Sequence, residues 1–238
     1  MKLIALDSSG LVASVAVLED DNFIAEYTIQ YKKTHSQTLL CMLDEVKKMT
    51  ELDLSTIDAI AIASGPGSFT GLRIGSATAK GLGLALNIPI IEVPTVEGMA
   101  YRMYGTGDIV CPMMDARRNE VYTGLFAFHA SKPYDEMETV LPQCAIPVAE
   151  LIARCNALGR RVVFLGDGVP VYKGMLEQGL TVPYGFAPPH LNRQSALAVG
   201  SLGMRYYEQG KYVTADQHAP DYLRLSQAER ERREKRST

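Results

Sequence analysis

The chain has 238 residues, of which 47% are hydrophobic and 21% charged, and its formal net charge is -3. This composition is typical of a globular protein with one large domain or two small ones. The net charge provides no overall basic field for nucleic acid, so any RNA contact needs a local patch. No apolar run approaches the roughly 18 residues of a membrane span, and Asp7 comes too early for a signal peptide, so we expect a cytoplasmic protein.

The first half of the chain alternates short apolar runs with helical patterns. Leu3 to Leu6 form an apolar run that ends at Asp7, and Asp20-Asp21-Asn22 is a hairpin turn signal between the next two runs. In order, the patterns predict strands over 3–6, 11–18 and 23–29, a helix over 36–49 whose apolar face holds Leu39, Met42, Leu43, Val46 and Met49, a strand over 55–63, a glycine-rich helix over 70–86, a strand over 89–93 and a helix over 95–104.

The glycine-rich helix has an unusual composition. Gly65-Pro66-Gly67 ends the preceding strand, and Ser68 or Thr70 is placed to cap the helix. Each glycine inside a helix costs about 1 kcal/mol relative to alanine, so several on one face need a reason. Close approach of another backbone is the simplest reason. For Gly65 to Gly67 two interpretations compete: their backbone N–H groups form a phosphate site at the helix N-terminus, or they only shape a tight turn between strand and helix. The residues of this glycine stripe, four apart, are Gly71, Gly75, Ala79 and Gly83.

The second half begins again in the same way after Gly105-Thr106-Gly107, which predicts a hinge. Ile109 to Met114 form an apolar run that ends at Asp115, as the first run ends at Asp7. The patterns predict strands over 109–114, 120–128 and 139–146, a helix over 147–156, a strand over 162–165, a loop over 169–193 and a helix over 195–208. The cysteines show no Cys-x-x-Cys spacing, which predicts buried reduced thiols and no metal ligation.

One order of elements, strand–strand–strand–helix–strand, thus occurs twice, which indicates an internal duplication in an α/β protein. It resembles the actin–Hsp70–sugar kinase (ASKHA) superfamily, a duplicated ribonuclease-H-like fold with two lobes of mixed β-sheets flanked by helices. The resemblance implies a first lobe over 1–104 and a second over 105–238, with a charged tail over 228–238 and a last helix that packs back on the first lobe. In that superfamily the two leading turns face each other across a cleft and hold nucleotide phosphates.

Asp7 and Asp115 are the first candidates for chemistry, because two carboxylates across a cleft can hold magnesium through waters. Ser8 follows Asp7. Arg117 and Arg118 follow soon after Asp115, and their guanidinium groups either bind phosphate or pair with neighbouring carboxylates. The superfamily's second turn usually has glycine after the aspartate, where Ala116 stands here. We therefore do not expect productive ATP hydrolysis by this chain alone, and the alternative is that both aspartates only hydrogen-bond their own loops.

Two other features point away from metal or hydrolytic chemistry, and a third concerns the charged run near the C-terminus. His35 has no second histidine at helical spacing, which favours a cap or surface residue over a metal ligand. No Gly-x-Ser-x-Gly elbow is present for a serine hydrolase. The run from Glu229 to Arg236 is charged and mildly basic, which predicts a solvated helix, with a local RNA or partner contact as the alternative.

Several stretches together resemble one family closely: Leu6-Asp7-Ser8-Ser9, His35-Ser36-Gln37, the stretches over 65–75 and 114–122, and Pro220-Asp221-Tyr222-Leu223-Arg224. They are similar to the TsaB (YeaZ) family over nearly the whole chain. The resemblance implies a non-catalytic scaffold or activating subunit in threonylcarbamoyladenosine synthesis. The modified adenosine would lie beside the anticodon of tRNAs that read codons beginning with A.

The resemblance also implies partners. These are the metal-bearing transferase TsaD, a paralogue that forms a heterodimer with TsaB, and the ATPase TsaE, with a homodimer as another arrangement and tRNA contacted mainly within the complex. ATP and metal would lie on the partner subunits, with no cofactor on this chain. The helices over 36–49 and 70–86 would dock on the partner, with the glycine stripe either at the contact or turned onto its own sheet. The residues assigned to this interface are Leu39, Met42, Leu43, Val46, Leu72, Arg73, Gly75, Ser76, Ala79, Lys80 and Gly83, of which Leu72, Arg73, Ser76 and Lys80 are expected on the partner-facing side opposite the stripe.

The competing hypothesis is a stand-alone enzyme. One form is an ATP-dependent enzyme that uses Asp7 and Asp115, and the other is a glycoprotease-like peptidase. Binding of a nucleotide or metal by the isolated chain would discriminate between these forms and the scaffold.

Overall fold

The computed structural model describes residues 1–31 and 34–223 and contains two five-stranded sheets. The elements of the first half are β1 (Lys2–Asp7), β2 (Ala13–Glu19), β3 (Asn22–Ile29), α1 (His35–Met49), β4 (Ala59–Gly65), α2 (Phe69–Leu86), β5 (Ile90–Pro94) and α3 (Thr95–Tyr101). The first sheet has the order β3-β2-β1-β4-β5, in which β1 pairs antiparallel with β2 and parallel with β4.

The elements of the second half are β6 (Ile109–Asp115), β7 (Glu120–His129), β8 (Glu136–Pro147), α4 (Val148–Leu158), β9 (Val162–Leu165), α5 (Gly168–Gly179), β10 (Tyr184–Phe186) and α6 (Ala196–Glu208). The second sheet has the order β8-β7-β6-β9-β10, so each of its strands corresponds to one strand of the first sheet. The predicted duplication and the ASKHA type of fold are therefore confirmed.

Two predictions of local structure were wrong. The stretch over 169–193 is not a loop, because α5 and β10 lie within it. Pro170 is tolerated in the first turn of α5, where backbone N–H groups have no partner inside the helix, and Tyr172 and Leu176 are buried four residues apart. The fourth strand starts at Ala59 rather than Ser55, because Leu54–Thr56 form a 3-10 turn.

The first sheet is covered on its two faces by different helices. Leu39, Met42 and Val46 of α1 pack on one face together with α2. The prediction that Met49 lies on the same apolar face was wrong: it is 77% exposed, because it is the last residue of α1 and Val46 is the last side chain of that face to reach the core. Val199 and Leu202 of α6 pack on the other face. Helices from both ends of the chain thus complete the core of the first sheet.

A segment that we call the C-terminal strap, residues 213–223, returns to the first sheet after α6. Val213 pairs with Ile90 at the edge of the sheet, and Lys80 Nζ of α2 donates to the carbonyl of His218 at 2.9 Å. The Asp221 N–H donates to Ser64 O at 2.8 Å. The strap therefore crosses α2 and ends beside the turn that follows β4.

The remaining sequence predictions concern the burial of the cysteines, the absence of membrane-spanning segments and the charged tail. Cys111 and Cys155 are buried, whereas Cys41 is exposed, so the prediction of burial was wrong for Cys41 because it lies on the outward side of α1. Within 1–31 and 34–223, none of the helices combines the length and apolar character of a membrane span. The charged tail predicted over 228–238 lies outside the described residues.

Candidate functional site

A cleft of about 640 Å³ lies where the leading turns of the two halves approach each other. The turn after β1 lines it through Ser9 and Gly10, and the turn after β6 lines it through Asp115 and Arg117. The N-terminus of α2 and the end of the C-terminal strap close one side of it. The cleft is therefore the meeting point of the motifs identified in the sequence.

Asp7 lies at the end of β1 and is only 1% exposed. Its Oδ1 accepts the Ser9 N–H at 2.9 Å and the Ser9 hydroxyl at 2.7 Å. Burial raises the pKa of Asp7 to about 6, against the opposing effect of the Ser9 hydrogen bonds. This carboxyl group holds its own loop together, as one of the two sequence hypotheses supposed.

Asp115 occupies the equivalent position at the end of β6. Its Oδ1 accepts the Arg117 N–H at 2.8 Å and the Tyr172 hydroxyl at 2.8 Å, and its Oδ2 lies 3.5 Å from the Arg117 guanidinium. In this conformation the pair does not fit a magnesium-bound phosphate, because Asp7 is buried and Asp115 is paired with a cation. Within the described part of the chain, no group of three or more His, Cys, Asp or Glu side chains is arranged to hold a metal ion.

The turn after Asp115 has an uncommon backbone. Arg117, Arg118 and Asn119 have φ values of 66°, 57° and 58°, a left-handed run without glycine. Such residues cost roughly 1 kcal/mol or more each and concentrate at functional sites. The run projects two arginines from the rim of the cleft, and the Arg117 side chain is 87% exposed.

The glycine stripe of α2 faces the turn after β1. A Cβ on Gly71 would lie 2.1 Å from Ser8 O, and one on Gly75 would lie 2.3 Å from Ser8 Oγ. Ser8 in turn donates its hydroxyl to Gly71 O at 2.9 Å. Of the two alternatives for the stripe, the correct one is therefore that it turns onto its own fold.

Because the stripe faces the chain's own fold, most of the residues assigned to the partner interface are covered by the chain itself. Leu72 and Ser76 are buried, so their assignment to an outward, partner-facing side was wrong, because α2 is covered over a wider arc than the stripe alone. Lys80 is bonded to the strap, and Arg73 is exposed, with its guanidinium 4.0 Å from the centre of the Phe69 ring. The chain's own core or turns cover Leu39, Met42, Leu43, Val46, Gly75, Ala79 and Gly83.

A different set of residues forms the exposed side of α1 and α2, which we call the outer helix face. Leu40 and Leu84 are 56% and 57% exposed, and a Cβ on Gly81 would have no atom within 4 Å. A second series spaced by four residues in α2 was the sequence signal for this face. The outer helix face consists of Leu40, Cys41, Ala77, Gly81, Leu84 and Ala85.

Aromatic side chains at the cleft were also missed by the sequence argument. Tyr222, at the end of the strap, packs against Phe69 at the start of α2, with ring centres 4.7 Å apart and the ring planes tilted by 36°. Tyr31 lines the same cleft and is 70% exposed. His35, at the start of α1, lies with Nε2 2.8 Å from Gly10 O and so braces the first turn. Phe69 and Tyr222 both lie in family motifs, which was the available signal.

Known proteins resemble this chain over nearly its whole length. The family model described as "TsaD: tRNA N6-adenosine threonylcarbamoyltransferase" matches residues 22–231. The tRNA threonylcarbamoyladenosine biosynthesis protein TsaB of Bacillus subtilis is 34% identical over 96% of each chain. That of Haemophilus influenzae is 36% identical over 94% of each chain. The chain belongs to the TsaB family.

Solved structures agree with this assignment. YeaZ from Pseudomonas aeruginosa is 28% identical and superposes with a TM-score of 0.77, covering 93% of this chain and 99% of the other. The TsaB family identified from the motifs is thus confirmed, and the chain is a member of a family of tRNA threonylcarbamoyladenosine biosynthesis proteins.

Proposed function

We propose that this chain is a non-catalytic scaffold or activating subunit that docks on a TsaD-like transferase through the outer helix face. The observation that carries the proposal is an exposed strip of small residues on α2, Ala77, Gly81 and Ala85, in which a Cβ on Gly81 would have nothing within 4 Å. A glycine in a helix costs about 1 kcal/mol relative to alanine, and at this position no neighbour in the chain offsets that cost. Gly174 of α5 has open space in the same way, but Pro170 and Gln178 stand four residues to either side of it, so it belongs to no such strip. Contact of the strip on α2 with another helix supplies the missing reason.

The composition of the outer helix face suits a helical partner. Ala77, Gly81 and Ala85 lie four residues apart and make a flat strip on α2. Leu84 lies on the same helix and Leu40 lies on α1, and each exposes more than half of its surface. Small residues let a second helix approach closely, and the flanking leucines gain burial when it does.

In this proposal the chain contributes surface, and the chemistry belongs to its partners. The TsaD-like transferase holds the metal, and a TsaE-like ATPase joins the pair and uses ATP. The substrate is a tRNA that reads codons beginning with A, modified at the adenosine beside the anticodon in the cytoplasm. A homodimer through the same face is the competing resting state, since one face cannot serve two partners at once.

The proposal is tested with Gly81→Leu against Gly174→Leu. Both are helical glycines with open space around a Cβ, so each variant is expected to remain folded and gain helix propensity. Size-exclusion chromatography with light scattering should show a one-to-one complex of the wild type and of Gly174→Leu with the TsaD counterpart. Gly81→Leu should weaken that complex at least about 100-fold, because overpacking a close seam costs roughly 3 kcal/mol.

An unchanged affinity of Gly81→Leu would refute docking through this face. Restored threonylcarbamoyl transfer in the wild-type mixture, with no turnover by the chain alone, is the expected activity result.

A stand-alone ATP-dependent enzyme is the second candidate, and one observation favours it. Asp7 has a pKa raised to about 6 by burial and precedes the turn whose Ser9 and Gly10 line the cleft, and perturbed carboxyl groups concentrate at catalytic sites. ATP turnover by the isolated chain that Asp7→Asn abolishes would replace the scaffold proposal.

A further inference from the structure

The mouth of the cleft brings aromatic rings and cations together on the surface. The Tyr31 side chain is 70% exposed and that of Tyr222 is 38% exposed. The Tyr222 ring packs against Phe69 with ring centres 4.7 Å apart, and the Arg73 guanidinium lies over the Phe69 ring, 4.0 Å from its centre. This stack holds Tyr222 in place while leaving part of its surface open to solvent.

Two further cations lie in the turn after β6. Arg117 lines the cleft and is 87% exposed, with its guanidinium 3.5 Å from Asp115 Oδ2, and Arg118 follows it in the same turn and is exposed as well. Their left-handed turn is closed by the Glu120 N–H, which donates to Arg117 O at 3.1 Å, and by the hydrogen bond from Arg117 N–H to Asp115. The two guanidiniums therefore project from a turn that is held at both ends.

The floor between the two rims has the opposite charge. Asp115 and Asp167 line it, and Asp221 lies at its edge, where its Oδ2 accepts from Gln143 at 2.8 Å. Carboxylates repel phosphate but accept hydrogen bonds from N–H donors. A ligand that suits this cleft has anionic groups spaced around flat rings that carry amino groups.

We propose that the cleft mouth binds single-stranded RNA, with bases stacked on Tyr31 and Tyr222 and backbone phosphates on Arg117 and Arg118. Stacking on aromatic rings beside a cationic rim is how proteins hold unpaired strands. The acidic floor accepts the amino groups of adenine and cytosine, so oligouridine is the poorer ligand. That the strand is part of a tRNA rests on the proposed function.

The position of the cleft mouth fits that setting. Arg73 and Gly81 lie on the same helix eight residues apart, which is about 12 Å of helix rise. RNA at the cleft mouth would therefore lie beside a transferase docked on the outer helix face.

The test is fluorescence anisotropy of the full chain with a labelled A- and C-containing heptanucleotide over a series of salt concentrations. Tyr222→Ala should bind about tenfold more weakly, because the base can no longer stack on the ring. Tyr212→Ala is the matched control, because Tyr212 is also an exposed tyrosine, 47% exposed and stacked on Tyr207. The control should bind as the wild type does.

The double variant Arg117→Ala/Arg118→Ala tests the binding of phosphate by the two arginines. The negative slope of log affinity against log salt concentration should become shallower by about 1.4. On a single strand, each phosphate that is no longer neutralised reduces the magnitude of the slope by about 0.7. Arg154→Ala/Arg160→Ala removes two exposed arginines elsewhere and should leave the slope unchanged. Thermal unfolding of each variant checks that the fold is intact.

Three results would overturn the proposal. The wild type and the cleft variants could bind RNA with equal affinity, or RNA affinity could be lost only in the tail variant Arg232→Ser/Arg233→Ser. The third result is saturable binding of ADP at the cleft by a chain that does not bind RNA. Complex formation with the TsaD counterpart is measured on the same proteins. A wild type that binds RNA through the cleft but not the transferase would leave this inference standing and defeat the proposed function.

Discussion

Helix α2 carries two series of small residues at the same spacing in opposite surroundings. The glycine stripe is buried, and a Cβ on Gly71 would lie 2.1 Å from Ser8 O. The outer series of Ala77, Gly81 and Ala85 is exposed, and a Cβ on Gly81 would have no neighbour within 4 Å. Spacing by four residues thus marks a face built for close approach, but it does not say whether the approaching backbone belongs to the same chain.

The sharpest way to separate the two series is to add side-chain volume to the buried one. Gly71→Ala should destabilise the chain by more than about 3 kcal/mol, because the Cβ would meet a backbone carbonyl that cannot move cheaply. Gly75→Leu should abolish folding for the same reason. Urea unfolding monitored by circular dichroism measures both, with Gly81→Leu as the folded control. Near wild-type stability of Gly71→Ala would mean that the stripe is not closely packed.

The loop beneath the glycine stripe should make stability depend on pH. The pKa of Asp7 is raised to about 6 in the folded chain, against about 3.9 in an unfolded one. The folded state therefore binds the proton more tightly, and the stability gained below pH 4 is lost as the pH rises to 6. The expected loss is about 2 to 3 kcal/mol.

This pH dependence is checked by comparing urea unfolding at pH 4.5 and 7.5 in the wild type and in Asp7→Asn. Other groups titrate in both proteins, so the difference between their two pH responses isolates Asp7. Identical responses would show that Asp7 is not the source.

The smallest contrast compares two glycines that are two residues apart on α2. Gly81→Ala should stabilise the chain by about 1 kcal/mol, because alanine is the better helix former and has free space there. Gly83→Ala should fail to stabilise, because its Cβ would lie 3.0 Å from the Ala215 Cβ and 3.3 Å from Ile88 O. Thermal unfolding of both variants gives the answer, and equal gains would contradict the contrast.

The sequence predicted most of the first lobe because its strands are apolar and its turns carry strong signals. The hairpin at Asp20-Asp21-Asn22 and the helix ending at Met49 are both confirmed. Helix α5 was missed because proline and glycine interrupt its pattern. The duplication itself predicts a helix there, at the position in the second half that is equivalent to α2 in the first. The repeat was a better guide than local composition.

The candidate site was predictable only in part. The two aspartates could be placed because each directly ends an apolar strand. The stack of Tyr222 on Phe69 could not, because these residues are far apart in sequence and meet only through the strap. The burial of Leu72 and Ser76 was likewise set by neighbours from β1, β4 and the strap rather than by the pattern of α2.

The return of the chain's end to the first sheet has a consequence for synthesis. The core of the first lobe includes α6 and Ala215 of the strap, which leave the ribosome after the strands of both sheets. The strands of the second lobe all lie between Ile109 and Phe186 and precede those parts. The usual vectorial order, in which the N-terminal unit folds first during translation, is therefore reversed for this chain. Its first lobe is the one that is finished last.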